Sequence, residues 1–130
     1  MKTAYIFPGQ ASQYVGMTSD FYLSSESAKQ WLDNSNRILG IDILNIMFNG
    51  PDEALKQTEI TQPAIFIHSV LVSTFLKSEF HAAAGHSLGE YSALCAAGVF
   101  DFETGLKLVR LRGQLMQKAG RAHCSCRPHR

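Results

Sequence analysis

The chain has 130 residues, of which 45% are hydrophobic and 18% charged, and a formal net charge of +1. That size supports one domain and that composition excludes a disordered chain, while no apolar run reaches the roughly 18 residues of a membrane span. The charge is uneven: residues 120–130, GRAHCSCRPHR, hold three arginines and no acid, so the rest carries nine basic against eleven acidic side chains and offers nothing to a nucleic acid.

The opening MKTAYIFPGQ has too short an apolar segment for a signal peptide, and a cytoplasmic location is expected. Within it KTAYIF (2–7) reads as a short buried strand, stopped by Pro8-Gly9. A polar, glycine-containing loop follows. SSESAKQWLDNSNRILG (24–40) has serines fit to cap a helix and a Gly40 stop. DILNIMFNG (42–50) predicts a short helix, and GPDEALKQ (50–57) a helix start with Pro51 in its first turn. TQPAIFIHSVLVSTFLKSEF (61–80) is apolar nearly all round and too long for a strand, so it predicts a helix buried on most sides with Pro63 at its beginning.

HAAAG (81–85) is the second strand, weak in propensity because alanine is a poor strand former. It leads into Gly85-His86-Ser87-Leu88-Gly89, a serine between glycines, and residues 88–97 then predict a helix ending at Gly98. That is how a nucleophilic serine is mounted: the glycines relieve crowding at a tight strand-to-helix turn, and the helix N-terminus offers N–H groups to a developing oxyanion. DFETGLKLVRLRGQLMQKAG (101–120) is the clearest helix. Cys95 reads as a small core residue. Strands alternating with helices indicate an α/β layout with a parallel sheet.

Three further readings concern chemistry. At about 100° per residue, Gly105, Leu108, Val109, Arg112, Leu115, Met116 and Ala119 share one face of the last helix, with Arg112 the only charge on it. A guanidinium there requires a partner; Glu90, water reached by a long side chain, and a substrate carboxylate all satisfy the pattern. The loop FPGQASQ (7–13) can aim backbone N–H groups at a ligand, although by itself it also reads as an ordinary polar loop. A serine nucleophile also needs a base. Of the five histidines, His86 adjoins Ser87 and should diverge from it, His68 lies in the apolar helix, His81 stands at the remote end of its strand, and His123 and His129 fall in the tail. None is placed as the base.

FPGQASQYVGM, TQPA (61–64), GHSLGEYSALCAAGVFDF (85–102) and RGQLMQ (112–117) together resemble the malonyl-CoA:acyl carrier protein transacylases of fatty acid synthesis, in order and over about residues 3–119. The resemblance implies an α/β-hydrolase-like acyltransferase domain with a partial parallel sheet, truncated before the family's ferredoxin-like subdomain. Residues 1–119 would be its amino-terminal part, and 120–130 a basic tail outside the family pattern, expected to be disordered. Ser87 would accept the acyl group, the backbone N–H groups of Gln10 and Leu88 would form the oxyanion hole, and Arg112 would pair with the malonyl carboxylate. The partners implied are malonyl-CoA and acyl carrier protein, with no metal or redox cofactor, no nucleic acid, no membrane, and a monomeric state usual in the family.

The family's general-base histidine lies further downstream and is expected to be absent from this chain. The abrupt change at Gly120 is what a shifted reading frame would leave, and the tail's His123, Cys124, Cys126 and His129 are read as incidental rather than as a zinc site. Rival readings are an acyltransferase domain of a polyketide synthase, which shares the serine motif, a simple esterase, and a non-catalytic product.

Overall fold

The computed structural model describes residues 1–76 and 78–125. The strand β1 spans Ala4–Phe7, and the helices α1 to α5 span Ser19–Ser24, Glu26–Leu39, Ile43–Asn49, Asp52–Leu55 and Thr58–Phe75. The strand β2 is Ala82–Gly85, followed by α6 at Gly89–Ala96 and α7 at Phe102–Ser125. The strands pair in parallel, Ala4 with Ala82 through Phe7 with Gly85, and the intervening helices make the crossover. The expected α/β class and parallel sheet are therefore the ones found.

Each helix has local reasons to stand where it does. Ser25 accepts a hydrogen bond from the Ala28 N–H at 3.2 Å and starts α2, while Gly40, at φ 66°, ends it in the left-handed conformation that glycine tolerates. Buried Ala28, Leu32 and Ser35 repeat at helical spacing and turn one face of α2 inward. Asp42 caps α3 through the Asn45 N–H at 3.2 Å. The core is centred on α5, whose residues Thr61 to Ile67 are all buried. Around it pack Leu32, Ile43, Met47, Leu55, Leu106 and Val109. Trp31 and Phe66 both sit against Phe102, with ring centroids 4.1 and 5.7 Å away, so three aromatic rings tie α2, α5 and α7 together.

Four expectations need correction. α1 lies between the loop and the helix expected from Ser24, in a stretch for which no element is expected, and takes in Ser24; its start, Thr18, has φ 66° and no side-chain cap, so nothing in the sequence announces it. α5 begins at Thr58 rather than Thr61 and stops at Phe75, which puts Pro63 inside the helix. α7 is rotated relative to the expected apolar face: Gly105 and Val109 are buried as expected, but Leu106 and Gly113 join them, whereas Leu108, Leu115 and Met116 are exposed. Gly113 on the inward side lets α7 lie close to the start of α5, a criterion that a count of apolar side chains overlooks. Finally, α7 runs on through Gly120 to Ser125, so that part of the tail is helical; the remainder, and the histidine and cysteine reading that includes Cys126 and His129, lie outside the described residues.

The sheet is covered on one side. Phe7 is buried, but Ala4, Ile6, Ala82 and Ala84, which share the opposite face, are exposed. Among the described residues no helix is long and apolar enough to cross a membrane.

Candidate active site

Ser87 follows β2 and precedes α6, at the turn the sequence predicts. Its backbone has φ 54°, a left-handed conformation that an L residue adopts only when its surroundings impose it. Those surroundings are specific. The His86 N–H donates to the Phe7 carbonyl at 3.1 Å, and the Gly89 and Glu90 N–H groups donate back to the His86 and Ser87 carbonyls at 2.9 and 3.1 Å. A Cβ on Gly89 would stand 2.2 Å from the Phe7 carbonyl oxygen, and one on Gly85 would stand 2.0 Å from the Gly89 carbonyl carbon. Both glycines are thus required by close backbone approach. Leu88 is buried and pins the turn, while the Ser87 side chain remains exposed.

The loop carrying Gln10 lies against this turn. A Cβ on Gly9 would come within 2.6 Å of the His86 carbonyl oxygen. The loop is held by Ser12 Oγ donating to the Gly9 carbonyl at 2.8 Å, and by Gln10 Nε2 donating to Thr58 Oγ1 at 3.3 Å. The two residues expected to supply oxyanion N–H groups, Gln10 and Leu88, thus flank one contact between two loops.

Arg112 reaches the same place from α7. Its Nη2 donates to Ser87 Oγ at 3.1 Å and its Nη1 to Gln62 Oε1 at 2.8 Å. The guanidinium carbon also lies over the Tyr91 ring, 5.6 Å from the centroid. Gln62 is fully buried, with its Nε2 turned to Met116 Sδ at 3.1 Å. Among the described residues no carboxylate pairs with Arg112; the ion pairs are Lys56–Asp52 and Lys107–Glu103. Pairing with Glu90, one of the readings open from the sequence, is therefore not made. This half-buried guanidinium thus meets neutral oxygens and an aromatic face, and of the readings open from the sequence, water and a substrate carboxylate remain.

The histidines are dispersed. His81 sits at the far end of β2, where its Nδ1 accepts from the Thr3 N–H at 3.1 Å. His68 packs edge-on to Tyr14, and its Nδ1 is buried with no partner among the described residues. Burial holds its pKa below the ordinary value, so it is neutral near pH 7. The side-chain partner of Ser87 Oγ is Arg112 rather than any described histidine.

Sequence reasoning missed Gln62 and Tyr91 as neighbours of Arg112. Gln62 was visible only within the TQPA segment; a fully buried amide in an apolar helix is nevertheless a signal, since it requires a polar partner elsewhere.

Comparison with known proteins fits this arrangement. Residues 4–123 match the family model described as "Acyl transferase domain". A malonyl CoA-acyl carrier protein transacylase of Staphylococcus aureus (strain MRSA252) is 47% identical over 121 residues, covering 91% of this chain and 39% of the relative. Among solved structures, an acyl carrier protein S-malonyltransferase from Vibrio cholerae superposes with a TM-score of 0.85 at 46% identity, covering 92% of this chain and 40% of that one. A malonyl-transacylase solved in complex with a type II PKS acyl-carrier protein gives a TM-score of 0.85 at 41% identity, with 92% and 40% covered. The chain thus spans about two fifths of the length of the relatives it matches. Given a serine turn, a facing loop and an unpaired guanidinium in one place, together with a family match over nearly all of the described residues, the chain belongs to the acyl transferase domain family.

Proposed function

We propose that this chain carries the acyl-accepting half of a malonyl-CoA:acyl carrier protein transacylase site, with Ser87 as nucleophile and Arg112 as the clamp for the malonyl carboxylate. The observation that carries the reading is the Arg112 guanidinium, 3.1 Å from Ser87 Oγ and, among the described residues, without a carboxylate partner. A group reaching Ser87 Oγ with its carbonyl carbon and bearing a carboxylate one carbon further on would meet both residues at once.

In the first half-reaction Ser87 Oγ attacks the thioester carbonyl, and a tetrahedral oxyanion forms. The Gln10 and Leu88 N–H groups are the donors suited to that oxygen. Collapse breaks the carbon–sulfur bond, leaving malonyl on Ser87 and releasing CoA, whose sulfur takes a proton. In the second half-reaction the pantetheine thiol of the carrier protein attacks the seryl ester and restores the Ser87 hydroxyl. Both steps need a base for the attacking hydroxyl or thiol, and none of the described histidine side chains hydrogen-bonds Ser87 Oγ. Removal of a triad base leaves a serine enzyme several orders of magnitude slower. The 130-residue chain alone is therefore expected to transfer malonyl far more slowly than a full-length relative.

The test compares malonyl-CoA and acetyl-CoA as donors, with mass spectrometry following acyl-Ser87. Ser87→Ala abolishes labelling. Arg112→Ala lowers malonyl labelling by roughly 100-fold, the cost of two charge-assisted hydrogen bonds, and leaves acetyl labelling nearly unchanged. An equal loss on both donors overturns carboxylate recognition by Arg112.

A further inference from the structure

Pro63 sits inside α5 and has no N–H, so the carbonyl one turn earlier, that of Glu59, has no helical donor. A side chain from the other helix replaces it: Arg110 Nη1 donates to the Glu59 carbonyl oxygen at 2.6 Å. The Glu59 N–H belongs to the first turn and also lacks a helical acceptor. It donates to Gln117 Oε1 at 3.1 Å, while Gln117 Nε2 donates to the Glu59 carboxylate at 3.1 Å. Between Arg110 and Gln117 lies Gly113, where a Cβ would stand 2.9 Å from the Thr58 carbonyl oxygen and 3.0 Å from the Glu59 Cα. Three successive turns of α7 thus hold one residue of α5 by its N–H, its carbonyl and its side chain.

One turn beyond Glu59 is Gln62, and next to Gly113 is Arg112, which donates to Gln62 Oε1. We propose that Arg110 and Gln117 are positioning residues for the acyl-carboxylate site: they register α5 on α7 so that Gln62 can hold the Arg112 guanidinium, with Arg110 supplying the hydrogen bond that Pro63 cannot. This rests on the reading of Arg112 as the carboxylate clamp. It also gives a task to Gln117, the last residue of the RGQLMQ segment, which the reaction itself leaves unused.

The test is a double-mutant cycle in the full chain. Arg110→Met removes the donor, and Pro63→Ala restores a backbone N–H to the Glu59 carbonyl. Arg110→Met is expected to speed amide hydrogen exchange in the first two turns of α5 about tenfold and to lower the malonyl-over-acetyl labelling ratio at Ser87 about fivefold, as the loss of one charge-assisted bond implies. Adding Pro63→Ala is expected to recover most of both, and Arg110→Lys to retain most of both. Gln117→Leu should act on the same turns. Unchanged exchange in Arg110→Met, or a double variant no better than Arg110→Met, overturns the clamp. Failure of the parent chain to label Ser87 at all, with the exchange cycle behaving as expected, counts instead against the transacylase reading.

Discussion

At the scale of single residues, the site is a set of groups held in conformations they would not adopt alone. Ser87 at φ 54° carries a strain of about 1–3 kcal/mol that persists because Gly85 and Gly89 let backbone pass where side chains would collide. Gly89→Ala therefore forces the turn away from the Phe7 carbonyl and is expected to destabilise the chain by about 1–3 kcal/mol, read as a lower midpoint in urea. Cys95, by contrast, is out of the chemistry: burial raises its thiol pKa to about 11. It should resist alkylation by iodoacetamide at pH 8 in the folded chain and react readily in denaturant. Fast labelling of the native chain at Cys95 would mean that this part of α6 opens. Ser87 and Arg112 were legible from the sequence because their surroundings have local signatures, a glycine-flanked turn and a lone charge among apolar residues. Gln62 and Tyr91 were not, because their meaning lies in a contact between helices that no spacing rule reaches.

At the scale of elements, capping residues reported helix ends well and proline reported them poorly. Ser25, Gly40 and Asp42 stand at the ends of α2 and α3 as expected, since each acts on its own backbone. Ser25→Ala should cost about 1 kcal/mol of stability, the usual effect of losing an N-cap, measurable as a shift in the urea midpoint. Pro63 misled because the sequence rule for it assumes that a freed carbonyl has no other donor. Here the donor to the Glu59 carbonyl is Arg110, 51 residues away. The face of α7 was misjudged for a related reason, since Gly113, left off that face, is buried by what it allows to approach. Asp101 offers a check on α7: its carboxylate accepts from the Thr104 N–H at 2.7 Å, and that bond holds its pKa below the ordinary carboxyl value. A carboxyl with a depressed folded-state pKa stabilises fully above its unfolded pKa and loses the contribution as pH falls through its folded one. Asp101→Asn should therefore flatten part of the fall in stability below about pH 4, and leave the slope near neutral pH unchanged.

At the scale of the whole molecule, the described residues form a helical core with a two-stranded parallel sheet along its side. Parallel sheets are ordinarily covered on both faces, and this one leaves Ile6 74% exposed beside Ala4, Ala82 and Ala84. That residues 2–7 form a strand was legible, but they were read as buried, because the strand's own residues are apolar on both sides; the exposed face of Ala4 and Ile6 corrects that reading. An apolar face of this kind lies beside strand edges that have no further partner among the described residues. Two copies of the chain can join through such edges, and the small, flat alanines of β2 do little to prevent it. Ile6→Lys, which sets a charge on that face, is therefore expected to lower aggregation of the purified chain, read by light scattering.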